Sequence, residues 1–122
     1  MQIKNETERP IYIEIASLIE DAILSEAFEE ETQIPSTTEL SVKMKINPAT
    51  ALKGINMLVD QGIIYKKRGL GMFVSKGSAE KILKKRKEEF FEAYINSLVD
   101  EARKLKLPKA EIISMIERGF DK

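Results

Sequence analysis

The feature that most constrains the fold is a pair of helical patterns separated by only three residues, 45–47. Ser36 and Glu39 stand three apart, which is the capping-box spacing, and they predict a short helix over about 37–44. Asn47 supplies an N-cap for a second helix over about 48–61, in which apolar residues recur with a helical period. A connection this short is typical of a helix-turn-helix.

The segments on either side extend this motif. Upstream, apolar residues recur with a helical period after Pro10, which suits the first turn of a helix. The run 26–31 carries four Glu and predicts a solvated loop. Downstream, IIYKKR and MFVS are rich in β-branched and aromatic residues and are joined through glycines, which predicts a hairpin. Three helices followed by a hairpin is the order of a winged helix, with the hairpin as its wing.

The C-terminal part has a different pattern. After a polar joint at 76–81, apolar residues mark one amphipathic helix of about 25 residues, and Pro108 restarts a shorter helix at its first position. This stripe exposes more apolar surface than the second helix can cover, so we expect a second subunit to cover the rest. The residues expected to form this dimer contact are Phe90, Phe91, Tyr94, Ile95, Leu98 and Leu105.

The fold class follows from these patterns: mainly α with a small β-hairpin, as an N-terminal winged helix-turn-helix and a short C-terminal helical hairpin. The predicted domains are 1–76, which forms the winged helix-turn-helix, and 77–122, which forms the helical dimerisation tail. A tail that folds back on its own winged helix is the alternative to a dimer. Two-fold symmetry would imply a palindromic operator with half-sites about one helical turn, or a multiple, apart.

Composition excludes several function classes. The chain has no Cys and no His, which removes disulfides, thiolate nucleophiles, Cys/His metal sites and His general bases. We therefore expect no enzyme, no metal and no cofactor. The first ten residues lack the apolar core of a signal peptide, and no segment has enough apolar residues to span a bilayer, so a cytoplasmic protein without a membrane contact is predicted.

Charge is balanced overall, with 20 basic and 20 acidic residues, so only its distribution is informative. The window 43–68 carries six basic side chains and one acidic one, for a net charge of +5. In a winged helix this window holds the recognition helix and the wing, where phosphates would lie. Lysines on exposed faces are also commonly just solvated, so charge alone leaves nucleic-acid binding open.

Residues 10–75 resemble the GntR family of bacterial transcription regulators, specifically its short YtrA-like branch. The resemblance rests on motifs in order: Pro-Ile-Tyr, Ile-Pro-Ser before a short helix, Asn-Pro-Ala-Thr opening the next helix, Gln-Gly-Ile-Ile after it, and a Gly-Leu-Gly-Met-Phe-Val wing. It implies a dimeric, sequence-specific DNA-binding regulator, expected to be a repressor, with a helix in the major groove and the wing at the minor groove. No small-molecule effector can be assigned.

The resemblance also implies a set of DNA contacts at the second helix, the head of the recognition helix and the wing. These are Ser36, Thr37, Thr38, Lys43, Asn47, Pro48, Ala49, Thr50, Lys53, Lys67, Arg68, Gly69 and Gly71. The chain departs from the family at Thr38, where Arg is usual, at Ala49, where a polar residue is usual, and at Leu70 and Met72 in the wing. Each departure removes a donor or a charge, which keeps open the alternative of a winged-helix protein-interaction module with weak or no DNA binding.

Overall fold

A computed structural model of the chain describes residues 9–122. These form helices and one antiparallel hairpin, and the chain divides into two compact units, the first ending at Leu83 and the second spanning Lys84–Lys122. The predicted fold class is confirmed by this arrangement of elements. The domain boundary placed between residues 76 and 77 stays a prediction.

Two of the three helices that precede the hairpin begin where their capping signals predict. Helix α1 spans Ile11–Leu24, α2 spans Thr37–Met44 and α3 spans Pro48–Asp60. Pro10 is the N-cap of α1, one position before the first turn in which its ring was expected, and its ψ of 142° lies outside the helical region. The three-residue connection between α2 and α3 matches the predicted helix-turn-helix.

The core of the first unit lies between α1, α3 and the hairpin, and it consists almost wholly of branched aliphatic side chains. Its fully buried members include Ile19, Ile55, Leu58, Ile64 and Val74. Burying each such side chain contributes about 1.5–3 kcal/mol relative to leaving it in water. The core therefore fixes α3 against the rest of the unit and leaves its other face to solvent.

The hairpin pairs β1, Ile64–Lys67, with β2, Gly71–Val74, in antiparallel register. The segment before α2 runs along the other edge of β2, where the N–H of Ile34 donates to Met72 O at 2.9 Å and the N–H of Val74 donates to Thr32 O at 3.0 Å. The wing is thus held on both edges of its second strand.

The acidic loop is exposed, as predicted, but two of its carboxylates make specific hydrogen bonds. Glu30 accepts from the backbone N–H groups of Gly77 and Ala79, at 2.8 and 3.2 Å. Glu31 accepts from the hydroxyl of Tyr65 at 2.9 Å. The loop therefore joins the wing to the start of the next helix, which charge density alone did not indicate.

The remaining helices are α4, Ser78–Phe90, a π-helical turn at Phe91–Ile95, α5, Asn96–Lys104, and α6, Lys109–Phe120. The helical assignment runs without a break from Ser78 to Lys104, which confirms the long helix, but the π-helical turn in its middle was not predicted. Pro108 is the N-cap of α6, not its first helical residue. No helix within 9–122 is long and apolar enough to cross a membrane.

Candidate nucleic-acid interface

A side chain caps the N-terminus of each helix of the helix-turn-helix. The Ser36 hydroxyl accepts from the Glu39 N–H at 3.1 Å, and the Glu39 carboxylate accepts from the Ser36 N–H at 2.9 Å. Hydrogen bonds to the carboxylate from the Ser36 backbone N–H, which has the larger effect, and from the Ser36 side chain lower the pKa of the Glu39 carboxyl. At the head of α3, Asn47 Oδ1 accepts from the Ala49 N–H at 2.7 Å. Ser36 and Asn47 therefore have a capping role in the free protein.

The exposed face of α3 is set by its buried face. Ala51, Gly54, Ile55 and Leu58 pack inward, which leaves Ala49, Lys53 and Asn56 outward at positions i, i+4 and i+7. Pro48 is also exposed, at the start of the helix. Thr50, one of the predicted DNA contacts, is half-buried on the flank of this face. Asn56 was missed although its spacing from Ala49 and Lys53 could have indicated it.

Lys53 does not extend freely into solvent. Its Nζ lies 4.2 Å from the centroid of the Tyr12 ring on α1, at cation–π distance. Tyr12 therefore supports the one basic side chain of α3 from a neighbouring helix. Two predicted contacts on α2 are exposed, Thr38 in its first turn and Lys43 in its last turn. Thr37 is half-buried.

The wing presents the other predicted contacts. Lys67 Nζ lies 4.6 Å from the centroid of the Phe73 ring, and Arg68 and Gly69 are exposed at the turn. Gly69 has φ +78° and Gly71 has φ +124°, positive values that glycine adopts without the steric cost of a side chain. Leu70 between them is 61% exposed.

A groove of about 440 Å³ lies between α2, α3 and the wing. It brings together the predicted residues Ser36, Thr37, Thr38 and Gly71, and it does not include Lys43, the head of α3, Lys53, Lys67, Arg68 or Gly69. Three further polar residues line it that were not among the predicted DNA contacts: Gln33, Asn56 and Lys66. Lys66 had been counted only as part of the basic window 43–68. Only the folded chain brings Gln33 to this groove, so no local pattern could have identified it.

All six basic side chains of the window 43–68 are exposed in the structure. They are Lys43, Lys45, Lys53, Lys66, Lys67 and Arg68. Asp60 at the end of α3 is the only acidic residue in the same window. The basic window therefore belongs to the surface of α2, α3 and the wing, not to ion pairs buried in the core.

The second unit carries a separate apolar groove of about 650 Å³ between α5 and α6, whose lining includes Tyr94, Leu98 and Leu105. Of the predicted dimer residues, Phe90, Phe91, Tyr94, Leu98 and Leu105 are exposed and Ile95 is half-buried. Helix α6 leaves much of this stripe uncovered, and its own apolar side chains Ile113 and Ile116 are about half exposed. Within residues 9–122, no group of acidic side chains is arranged to hold a metal ion.

Comparisons with known proteins agree with this geometry. Residues 11–74 match the model of the gntR family of bacterial regulatory proteins. A crystal structure described as a GntR-family transcriptional regulator from Bacteroides thetaiotaomicron is 35% identical, with a TM-score of 0.80 over 91% of this chain and 96% of that one.

Two further relatives match about two thirds of the chain. The transcriptional repressor NagR of Bacillus subtilis is 29% identical over 83 residues, which are 68% of this chain but only 34% of NagR. The crystallised AraR DNA-binding domain in complex with operator ORX1 is 28% identical, with a TM-score of 0.55 over 62% of this chain and 90% of that one. On the family match over residues 11–74, the chain belongs to the gntR family of bacterial regulatory proteins.

Proposed function

We propose that this protein is a dimeric, sequence-specific DNA-binding repressor of transcription that acts in the cytoplasm. The observation that carries the proposal is the exposed basic surface of α2, α3 and the wing, with a net charge of +5 over residues 43–68. Positive charge on these elements matches a duplex whose phosphates flank the groove that a recognition helix enters.

The contacts divide by their chemistry into those that position the protein and those that read bases. Lys67 and Arg68 at the wing reach phosphates and carry little sequence information. The head of α3 lies in the major groove, where Thr50 and Lys53 face base edges, and the glycines of the wing tip allow close approach to the minor groove. At the N-terminus of α2, next to the Ser36 cap, the backbone N–H groups of Thr37 and Thr38 are directed to a phosphate.

The relatives support this assignment. The AraR domain, which shares this fold, is crystallised with operator DNA, and NagR is named a repressor. The match to a GntR-family regulator over 91% of this chain and 96% of that one supports the short helical tail that the resemblance to the YtrA-like branch implies.

The apolar groove of the tail supports the dimer. Tyr94 is 62% exposed and Leu105 is 63% exposed, on a surface that a second copy of the same tail would bury about a two-fold axis. Such a dimer presents two recognition helices related by the same axis, so the operator is palindromic.

Binding of the purified protein to duplex DNA tests the central claim. Fragments retained from a random library give the operator, and its affinity is then measured at several salt concentrations against a random duplex. We expect affinity to fall steeply with salt, because several phosphate counterions are released. If no duplex binds at low salt, DNA binding is refuted and the protein-interaction module becomes the better reading.

Single substitutions separate positioning from reading. Arg68→Ala is expected to weaken binding to all duplexes about equally. Thr50→Ala should instead relax discrimination between bases at one position in each half-site. Lys109→Ala removes an exposed basic side chain from the tail and serves as the matched control, with no expected effect. A selectivity profile that changes with Arg68→Ala but not with Thr50→Ala would contradict the assignment of α3.

Leu98→Asp tests the dimer by placing a charge in the apolar groove of the tail. The variant is expected to sediment as a monomer with its first unit still folded, and with much weaker operator binding. Ser114→Asp adds the same charge to an exposed position of α6 that does not line the groove, and it should remain dimeric. An unmodified protein that sediments as a monomer at high micromolar concentration would rule out the dimer.

A further inference from the structure

The segment before α2 lies beside β2 and is hydrogen-bonded to it, like a third strand of the wing. Gln33 pairs with Phe73 as an isolated antiparallel bridge, and backbone hydrogen bonds flank it on both sides, from Ile34 to Met72 and from Val74 to Thr32. The main chain of Gln33 is therefore fixed beside β2. Its side chain is exposed and lies outside the core. The contacts of this side chain therefore depend on the shape of the hairpin beside it.

The Gln33 side chain reaches along the hairpin to the wing turn. Its Nε2 donates to the main-chain oxygen of Leu70 at 2.5 Å. The space it uses exists because residue 71 is glycine: a Cβ on Gly71 would lie 2.6 Å from Gln33 Nε2. Gly71 also has φ +124°, which only glycine adopts readily. The amide and the glycine therefore fit each other.

The wing turn itself has little else around it. The N–H of Leu70 donates to Lys67 O at 2.9 Å within the hairpin, and a Cβ on Gly69 would meet no atom within 4 Å. A tip that projects into solvent in this way is expected to sample several conformations unless something outside the hairpin restrains it. The Gln33 amide supplies such a restraint, and it acts on the carbonyl of Leu70, next to Arg68 and Gly69.

We propose that Gln33 is a positioning residue for the wing, which holds the tip in the conformation that meets DNA. This inference rests on the proposed DNA binding and adds a residue that touches the wing and not the duplex. A restrained tip loses less conformational freedom on binding, so the hydrogen bond to Leu70 raises operator affinity without a contact of its own.

Hydrogen exchange in the full-length protein without DNA is the first measurement. Gln33→Ala is expected to speed exchange of the Leu70 amide about three- to tenfold, the range for one net hydrogen bond. Gln33→Glu should do the same, because a carboxylate cannot donate to the Leu70 carbonyl. Thr32→Ala is the matched control: its hydroxyl donates to Glu29 O, away from the wing, so exchange there should not change.

Operator affinity is the second measurement, with Gln33→Ala expected to weaken binding by a similar factor. In an Arg68→Ala background, where the tip has lost its charge, the Gln33→Ala effect should shrink, because both substitutions act through the same tip. A substitution that merely destabilised the fold would give the same loss in both backgrounds.

The outcomes distinguish this inference from the proposed function. Unchanged exchange at Leu70 in Gln33→Ala overturns the inference even if the wild-type protein binds its operator. Faster exchange with unchanged operator affinity also overturns it, because the restraint would then have no role in binding. A wild-type protein that binds no duplex overturns the proposed function and this inference together.

Discussion

Gly54 in the middle of α3 lies against α1 with no space for a side chain. A Cβ at this position would be 2.7 Å from the main-chain oxygen of Tyr12 and 3.3 Å from two carbons of Ile15. The nearest atom belongs to helix backbone and cannot rotate away, so Gly54→Ala forces α1 and α3 apart.

Two opposing effects decide the magnitude. Replacing glycine by alanine in a helix stabilises by about 0.5–1 kcal/mol. Overpacking a closed core costs about 1–3 kcal/mol, and the upper part of that range applies because backbone must shift. We therefore expect Gly54→Ala to lower the free energy of unfolding by about 2 kcal/mol. The separation of the helices should also weaken operator binding, since Tyr12 supports Lys53 across the same contact.

Urea unfolding followed by circular dichroism, at one protein concentration, measures this effect. For a slope of about 2 kcal/mol per molar, the midpoint should fall by about 1 M with the slope unchanged. Gly119→Ala is the matched control, because α6 leaves open space at that position, and it should not lower the midpoint. A Gly54→Ala protein as stable as the wild type would refute the close approach of α1 and α3.

The remaining predictions concern two polar caps. Asn47→Ala should cost about 1 kcal/mol in urea unfolding, whereas Asn47→Ser, which can still accept a hydrogen bond, should cost much less; equal losses would contradict the capping role. Hydrogen bonds from the backbone N–H groups of Gly77 and Ala79 lower the pKa of the Glu30 carboxyl, and the bond from Gly77 has the larger effect. Ionised Glu30 therefore stabilises the folded protein fully above the unfolded-state pKa, which is about 4.3. This stabilisation is lost as the pH falls through the lower folded-state pKa. Glu30→Gln should show a smaller loss of stability over that acid range than wild type or Glu29→Gln; identical pH profiles would contradict the cap.

The sequence was sufficient where a local signal defines the structure. Ser36 with Glu39, and Asn47 before a proline, identified the starts of α2 and α3, because a cap is a contact between neighbours in the chain. The β-branched and aromatic runs around Gly69 identified the hairpin for the same reason. Residue order therefore predicted most elements of the first unit.

The sequence was insufficient where contacts join distant residues. The bond from Gln33 to Leu70 spans 37 positions and that from Glu30 to Ala79 spans 49, and neither belongs to a periodic pattern. The π-helical turn at Phe91–Ile95 was also missed, since a stripe of apolar residues reads as a plain helix whether or not one turn is widened. Such features follow from packing.

The distribution of charge along the chain bears on how the proposed encounter with DNA would be oriented. The chain is formally neutral, so the +5 of residues 43–68 is offset by an excess of acidic side chains elsewhere, of which the loop at Glu29–Glu31 is the densest run. A polyanion is attracted to one part of such a surface and repelled by the other, which orients the encounter before any base is read. A uniformly basic protein would bind DNA in many orientations, and most would leave α3 outside the groove. On the proposed DNA binding, we therefore expect the uneven charge to favour encounters in which the basic surface of α2, α3 and the wing faces the duplex.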